Sequence, residues 1–386
     1  MSVRDRNSRR RVALETFFML LCIRLAAAPC LIFPLSSASS QAVGRHPDRR
    51  FVDQSVPVTS SLRLGGPRTA QPAALGDNPM ATIGREDGPD AFIFGEIASV
   101  GTTPQGTVVV VDRKMQDVRL FDSRGRFLQR LGRPGQGPGE FRAPHSLLVT
   151  PNGEIWVADM QRRLTVFAPS AEGYRLARTV PTEIGFRSMC FLGDELVVNG
   201  ISLSDPYAIR ILDASARPIR AFGRIYQSPN AFVNYQFTEG LVACDSSNDI
   251  IVYASPATVG EIRAYRRDGR AVWRTVLEDV RTNVISETEG GGVKVERSPN
   301  GAHSLLSLNV VAGIGILLQY GFRTPAQMAA REAAGEILTI VLDPKTGAAA
   351  LSTASWPRLG AASGNRALAL FEDPAPRIEI RDWRNR

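Results

Sequence analysis

The sequence predicts an all-β fold, a six-bladed β-propeller with an N-terminal strand closing the last blade. Three observations carry this. Pro-x-Gly recurs at Pro104–Gly106 and Pro151–Gly153, a spacing of 47 residues, and so does the aspartate ending the next apolar run, Asp112 and Asp159. A repeat of about 40–50 residues built from short strands is the signature of a propeller blade. Glycine (34) and proline (25) are plentiful among 386 residues, which suits short strands and tight turns over long helices. Hydrophobic residues make up 44% and charged residues 22%, enough apolar surface for a sizeable core and too little charge for global disorder.

Each blade can be read in chain order. In the first, a Pro-x-Gly turn joins an inner strand to Thr107–Val111, a continuous β-branched run of the kind buried on both faces. Val118–Phe121 alternates as a third strand, and Asp122-Ser-Arg-Gly125 turns into Phe127–Leu131. The second repeats this with Glu154–Ala158 and Leu164–Phe167. Weaker copies follow at Leu196–Asn199 with Ala208–Asp213, and at Ile250–Tyr253 with Glu261–Tyr265. The fifth is Gly315–Gln319 with Ile337–Asp343, interrupted at 323–335 by an alanine-rich stretch that predicts a short helix. The sixth, Ala367–Phe371 with Arg377–Arg381, lacks an outer strand. Ala81–Gly84, or Leu62–Leu64 upstream, is placed to supply it and so remove an exposed edge. The resulting division is a signal peptide over 1–42, a linker over 43–78 and the propeller over 79–386.

The stretch Gly132-Arg-Pro-Gly-Gln-Gly-Pro-Gly-Glu-Phe141, followed by Pro144, Pro151-Asn-Gly153 and Val157-Ala-Asp159, resembles the junction between NHL repeats. Ile83–Gly88 and Phe94-Gly95 resemble the start of bacterial extracytoplasmic six-bladed propellers. The strong likeness covers about residues 80–170. It implies an exported propeller, periplasmic or secreted.

The first 42 residues fit that location. Arginines up to Arg11 precede an apolar stretch, and the small residues Ser36–Ala42 offer a cleavage site. Glu15 and Arg24 interrupt the apolar stretch; a start at Met19 instead of Met1 would leave Leu25–Leu35 uninterrupted. Of the formal charge of +8, this segment contributes +4, and no basic cluster interleaved with aromatics follows. Nucleic acid is therefore not an expected partner. Nothing after the leader is long and apolar enough to span a membrane, and a monomer is expected. Beyond the leader only Cys190 and Cys244 remain, too few for a disulfide framework and not spaced for zinc. Both lie nine residues before their blade's strand-ending residue (Asn199, Tyr253), hence on neighbouring inner strands, as free thiols or as a disulfide across blades.

Candidate binding residues are those at the mouth of the central channel, where the inner strands begin. His145 and His303 open two such strands; Glu239 aligns level with His145, and Arg187 and Arg358 hold comparable places in blades three and six. The set suits an anion, or alternatively a zinc or calcium ion held by His145, Glu239 and His303. Pro144-His-Ser-Leu147 also resembles the metal-binding segment of the propeller lyases that release peptide amides, which implies one histidine from each of three blades. The only other histidine, His46, lies outside the blades, so no metal or cofactor is expected. Asp112 and Asp159 are repeat features expected to accept backbone N–H groups in the next turn. No nucleophile elbow, zinc-protease motif or phosphate loop occurs. The function expected is a non-catalytic binding or scaffold module for a protein or small molecule, with a lyase- or lactonase-type propeller enzyme as the alternative.

Overall fold

The computed structural model describes residues 56–384 except 202–204, 214, 226–227, 229, 256–259, 289–291, 331 and 364. The proposed leader, with Cys22 and Cys30, and the start of the linker, with His46, lie outside the described residues.

Six antiparallel sheets form the blades. Blade one runs through Ile97–Thr102, Val108–Asp112, Asp117–Phe121 and Phe127–Leu131, and blade two through Pro144–Val149, Ile155–Asp159, Arg163–Ser170 and Gly173–Pro181. Blade three spans Gly185–Leu192 to Pro218–Arg224, blade four Leu241–Asp245 to Ala271–Leu277, and blade five Ala302–Val311 to Ala349–Ser352. Blade six has its own strands Arg358–Ser363, Arg366–Phe371 and Arg377–Arg384. First strands of successive blades pack side by side, and that of blade six returns against that of blade one. The ring is closed.

Second strands are the core. Every residue of Val108–Asp112, Ile155–Asp159 and Ile250–Ala254 is buried, because a mid-blade strand has a neighbouring blade on each face. The Pro-x-Gly turns place Gly106 and Gly153 at φ of 84° and 85°, in the left-handed region that costs other L-residues energy. Asp112 accepts N–H bonds from Gly95, Glu96, Lys114 and Met115, so its carboxylate is consumed by turn geometry. Asp159 likewise accepts from the Gln161 amide and pairs with Arg163. At the equivalent place in blade three, Asn199 accepts from Gly240 N–H and donates to the Ala208 and Thr238 carbonyls.

Blade six receives its outer strand from Ala81–Ile83, antiparallel to Ile378–Ile380. Ile83 is fully buried, in a cluster with Phe94, Val100 and Phe121 of the blade-one side and Leu368, Leu370 and Ile378 of blade six. Residues 60–75, read from sequence as part of a linker, carry three further edge strands. Ser60–Leu62 lies parallel to Thr275–Leu277 of blade four, Arg68–Ala70 parallel to Leu351–Ser352 of blade five, and Ala74–Leu75 against Trp383–Arg384 of blade six. Leu62–Leu64 thus serves blade four instead of blade six. The Asp279 carboxylate fixes this strap by accepting from the Leu64 and Gly65 amides, and Arg68 pairs with Glu336. Three otherwise open edges are covered.

The interruption in blade five contains a short helix, Pro325–Ala330, as expected. A longer helix, Ala231–Thr238, sits between blades three and four. A hairpin, Val284–Glu287 with Val293–Glu296, sits between blades four and five. A disulfide joins Cys190 to Cys244 across the first strands of blades three and four. Beside it the Ser188 hydroxyl donates to the Val242 carbonyl and accepts from the Val242 amide.

Candidate functional site at the channel mouth

All five sequence-chosen residues, His145, Arg187, Glu239, His303 and Arg358, line one cavity of about 480 Å³, and Arg113 joins them. Their convergence follows from the ring. His145 is the second residue of blade two's first strand, Arg187 the third of blade three's, His303 the second of blade five's and Arg358 the first of blade six's. Glu239 arrives differently: it is the C-cap of the helix Ala231–Thr238, two residues before blade four's first strand. Arg113 directly follows the second strand of blade one.

The imidazoles are held by backbone. His145 is buried, with Nε2 2.6 Å from the Phe186 carbonyl and Nδ1 3.3 Å from that of Ala143. Ala143, before Pro144, is held at a φ of 50°, a strained setting for a non-glycine residue. Burial pushes the His145 imidazole below the usual histidine range, and the Arg187 and Arg113 charges add to this. The shorter of the two contacts is the one between Nε2 and the Phe186 carbonyl. His303 Nδ1 accepts from the Arg281 amide at 2.9 Å, which leaves its N–H on Nε2. Burial, with the Arg281 charge, also lowers His303. The lone pair of His303 Nδ1 is in use, and both ring nitrogens of His145 face backbone carbonyl oxygens.

Glu239 forms an ion pair with Arg187. With these occupations the trio His145, Glu239 and His303 shares the cavity without forming a ligand set. Among the described residues no group of three or more His, Cys, Asp or Glu side chains is placed to hold a metal ion.

What remains at the mouth is guanidinium charge. Burial lowers the pKa of Arg187 and of Arg358 by penalising their charged forms. Arg113 pairs with the half-exposed Glu96 at 3.0 Å, but its Nε has no hydrogen-bond partner among the described residues. The nearest carboxylate to Arg358, the exposed Glu372, stands 3.7 Å away, beyond hydrogen-bond distance, and Arg358 Nε is also without a partner among the described residues. Three guanidiniums thus line the cavity, with Glu239 as its lining carboxylate, while Glu96 and Glu372, the partners of Arg113 and Arg358, stand outside the lining.

Two insertions roof the cavity. Ile285 of the hairpin packs in one cluster with Val233 and Phe237 of the helix, and the Ser228 hydroxyl donates to Glu287. Phe232 and Val295 present apolar surface at the rim, each 48% exposed. Sequence reasoning missed Arg113, the helix and the hairpin. Signals existed: Asn230 is an N-cap that accepts from the Phe232 amide, and a glycine run at 290–292 separates two alternating segments.

Comparison with known proteins agrees with the architecture. Residues 87–195 match a protein family described as a 6-bladed beta-propeller. No curated protein matches the sequence. Among solved structures, the chain is similar to a candidate exported protein from Bacteroides fragilis NCTC 9343, at 11% identity and a TM-score of 0.56, over 84% of this chain and 99% of that one. It is also similar to a protein of unknown function from Bacteroides caccae, at 12% identity and a TM-score of 0.43, over 69% and 86% of the two chains. Among the described residues no helix is long and apolar enough to cross a membrane.

Proposed function

We propose that this propeller is a non-catalytic binding module that acts outside the cytoplasm and takes a small anion at the mouth of its channel. The observation that supports it is the set of guanidiniums of Arg113, Arg187 and Arg358, brought from three rigid blades to one cavity with a single lining carboxylate. Partly desolvated guanidiniums recognise carboxylate or phosphate oxygens through planar, often paired hydrogen bonds. His303 Nε2–H adds a neutral donor. The lining hydroxyls of Thr282 and Ser304 are engaged by the Asn283 carbonyl and by Arg323, so binding is the better reading than turnover. The NHL-type kinship belongs to the same proposal, resting on the junction 132–141.

Inorganic phosphate, sulfate and acetate should each raise the melting temperature in a saturable way. At tenfold excess over the dissociation constant the gain should be about 1.4 kcal/mol, or about 2 °C. Arg358→Gln should abolish most of that gain, while zinc and calcium should produce none. Differential scanning fluorimetry with each ion, against a neutral solute at matched osmolarity, decides it; identical shifts in wild type and variant would sink the site.

The disulfide supports an oxidising compartment, where such bonds form and persist. The neighbour described as exported points the same way. N-terminal sequencing of exported material is expected to begin near Gln41 or Val43. A mature chain still starting at Met1 would contradict export with cleavage.

A further inference from the structure

A second cavity, of about 280 Å³, adjoins the first between blades five and six. Leu306 and Arg358 line both, so the two spaces meet at these side chains. Its character is different. The walls are Leu306 on blade five's first strand, Ile337 on its third, Leu370 and Phe371 at the end of blade six's second strand, and Ala333 and Ala334 from the insertion after the short helix. The insertion is pinned over the groove: a Cβ on Gly321 would come within 2.6 Å of Ala334 Cβ and 2.9 Å of Leu306 Cδ1, and Gly335 N–H donates to the Phe322 carbonyl. The absence of a side chain at 321 lets the alanines lie flat enough to form a wall. The nearest carboxylates, Glu372 and Asp373, are at the exposed rim.

Resting on the anion-site reading above, we propose that the ligand is an amphipathic monocarboxylate, its headgroup at Arg358 and its aliphatic chain in the groove between blades five and six. Two features join to say so. Arg358 carries a charge that no carboxylate within hydrogen-bond distance neutralises, and it stands where the polar cavity gives way to the apolar one. A short inorganic anion would satisfy the charge and leave the groove to water. A carboxylate on an aliphatic chain satisfies the guanidinium and covers Leu306, Ile337, Leu370 and Phe371 in the same act. Apolar burial then adds affinity with each methylene until the groove is full.

The test is a chain-length series of straight-chain carboxylates from acetate to dodecanoate, titrated calorimetrically below their critical micelle concentrations, with the matching alcohols alongside. Affinity should rise about fourfold per added methylene over the first several carbons and then level off. Arg358→Gln should weaken every member by a similar factor, and the alcohols should bind at least tenfold more weakly than the acids. Ala333→Leu, which fills the groove without adding a charge, should flatten the length dependence and weaken the long-chain acids far more than acetate; Ile337→Thr, at a half-buried position, should do the same if the first variant folds poorly. Acetate binding that needs Arg358 but does not strengthen with chain length would overturn this inference and leave the anion site standing. Long chains that bind equally well to Arg358→Gln would also overturn it, as apolar association without a headgroup site. Failure of every member to bind would overturn both.

Discussion

Deleting residues 79–86 should leave blade six with an open edge, so that the protein loses stability or aggregates. The deletion removes the outer strand of blade six, with its pairing to Ile378–Ile380, and empties the position of Ile83. Ile83 is fully buried at the seam where blade six meets blade one, so its loss is a core cavity as well as an open edge. The milder substitution Ile83→Ala should by itself cost about 2–5 kcal/mol and lower the melting temperature by about 3–7 °C. Size-exclusion chromatography and calorimetry on both variants provide the measurement. A truncated chain that stays monomeric and melts within about 2 °C of wild type would show that the seam does not depend on this strand.

The second large effect expected is on the disulfide. Cys190 and Cys244 are 54 residues apart in sequence, and cross-linking a loop of that size removes unfolded-state entropy equivalent to about 4 kcal/mol. The paired substitution Cys190→Ser with Cys244→Ser should therefore destabilise the fold by about 2–4 kcal/mol. Reductant should act on wild type in the same direction and have no effect on the double variant. Equilibrium urea unfolding of both proteins, with and without reductant, checks this. Equal midpoints in all four conditions would mean that blades three and four are held by packing and the Ser188–Val242 bonds alone.

Much of the propeller was legible because its determinants are local. The apolar run Val108–Val111, the alternation of Asp117–Phe121 and the Pro-x-Gly turns each follow from chemistry within a few residues, and their recurrence identifies a blade. The closing strand was legible by deficit: a sixth copy with three strands needs a fourth, and Ala81–Ile83 supplies it. The channel-mouth residues were legible because a repeat maps each inner strand onto a common axis: His145 and His303 open such strands, Arg187 and Arg358 hold comparable places in their blades, and alignment of Tyr253 with Asp159 sets Glu239 level with His145; all five line the same cavity. Glu239 reached that lining by another route, from a helix end.

What the sequence by itself determined, then, is the blade, the number of blades and the level at which side chains face the channel. Only the tertiary structure decided what lies between blades. Ser60–Leu62 pairs with Thr275–Leu277 across more than two hundred residues, and a three-residue segment carries no periodicity by which to foresee a parallel partner at that distance. Arg113 enters the site, and Arg358 meets an apolar groove, through the way adjacent blades abut and the insertions fold over them. The backbone partners of the two histidines were likewise decided by neighbouring segments of the fold, the Phe186 carbonyl for one and the Arg281 amide for the other. Strand and turn preferences are properties of short segments, whereas lateral packing is a property of surfaces assembled from distant ones, and the candidate site is built from the second kind.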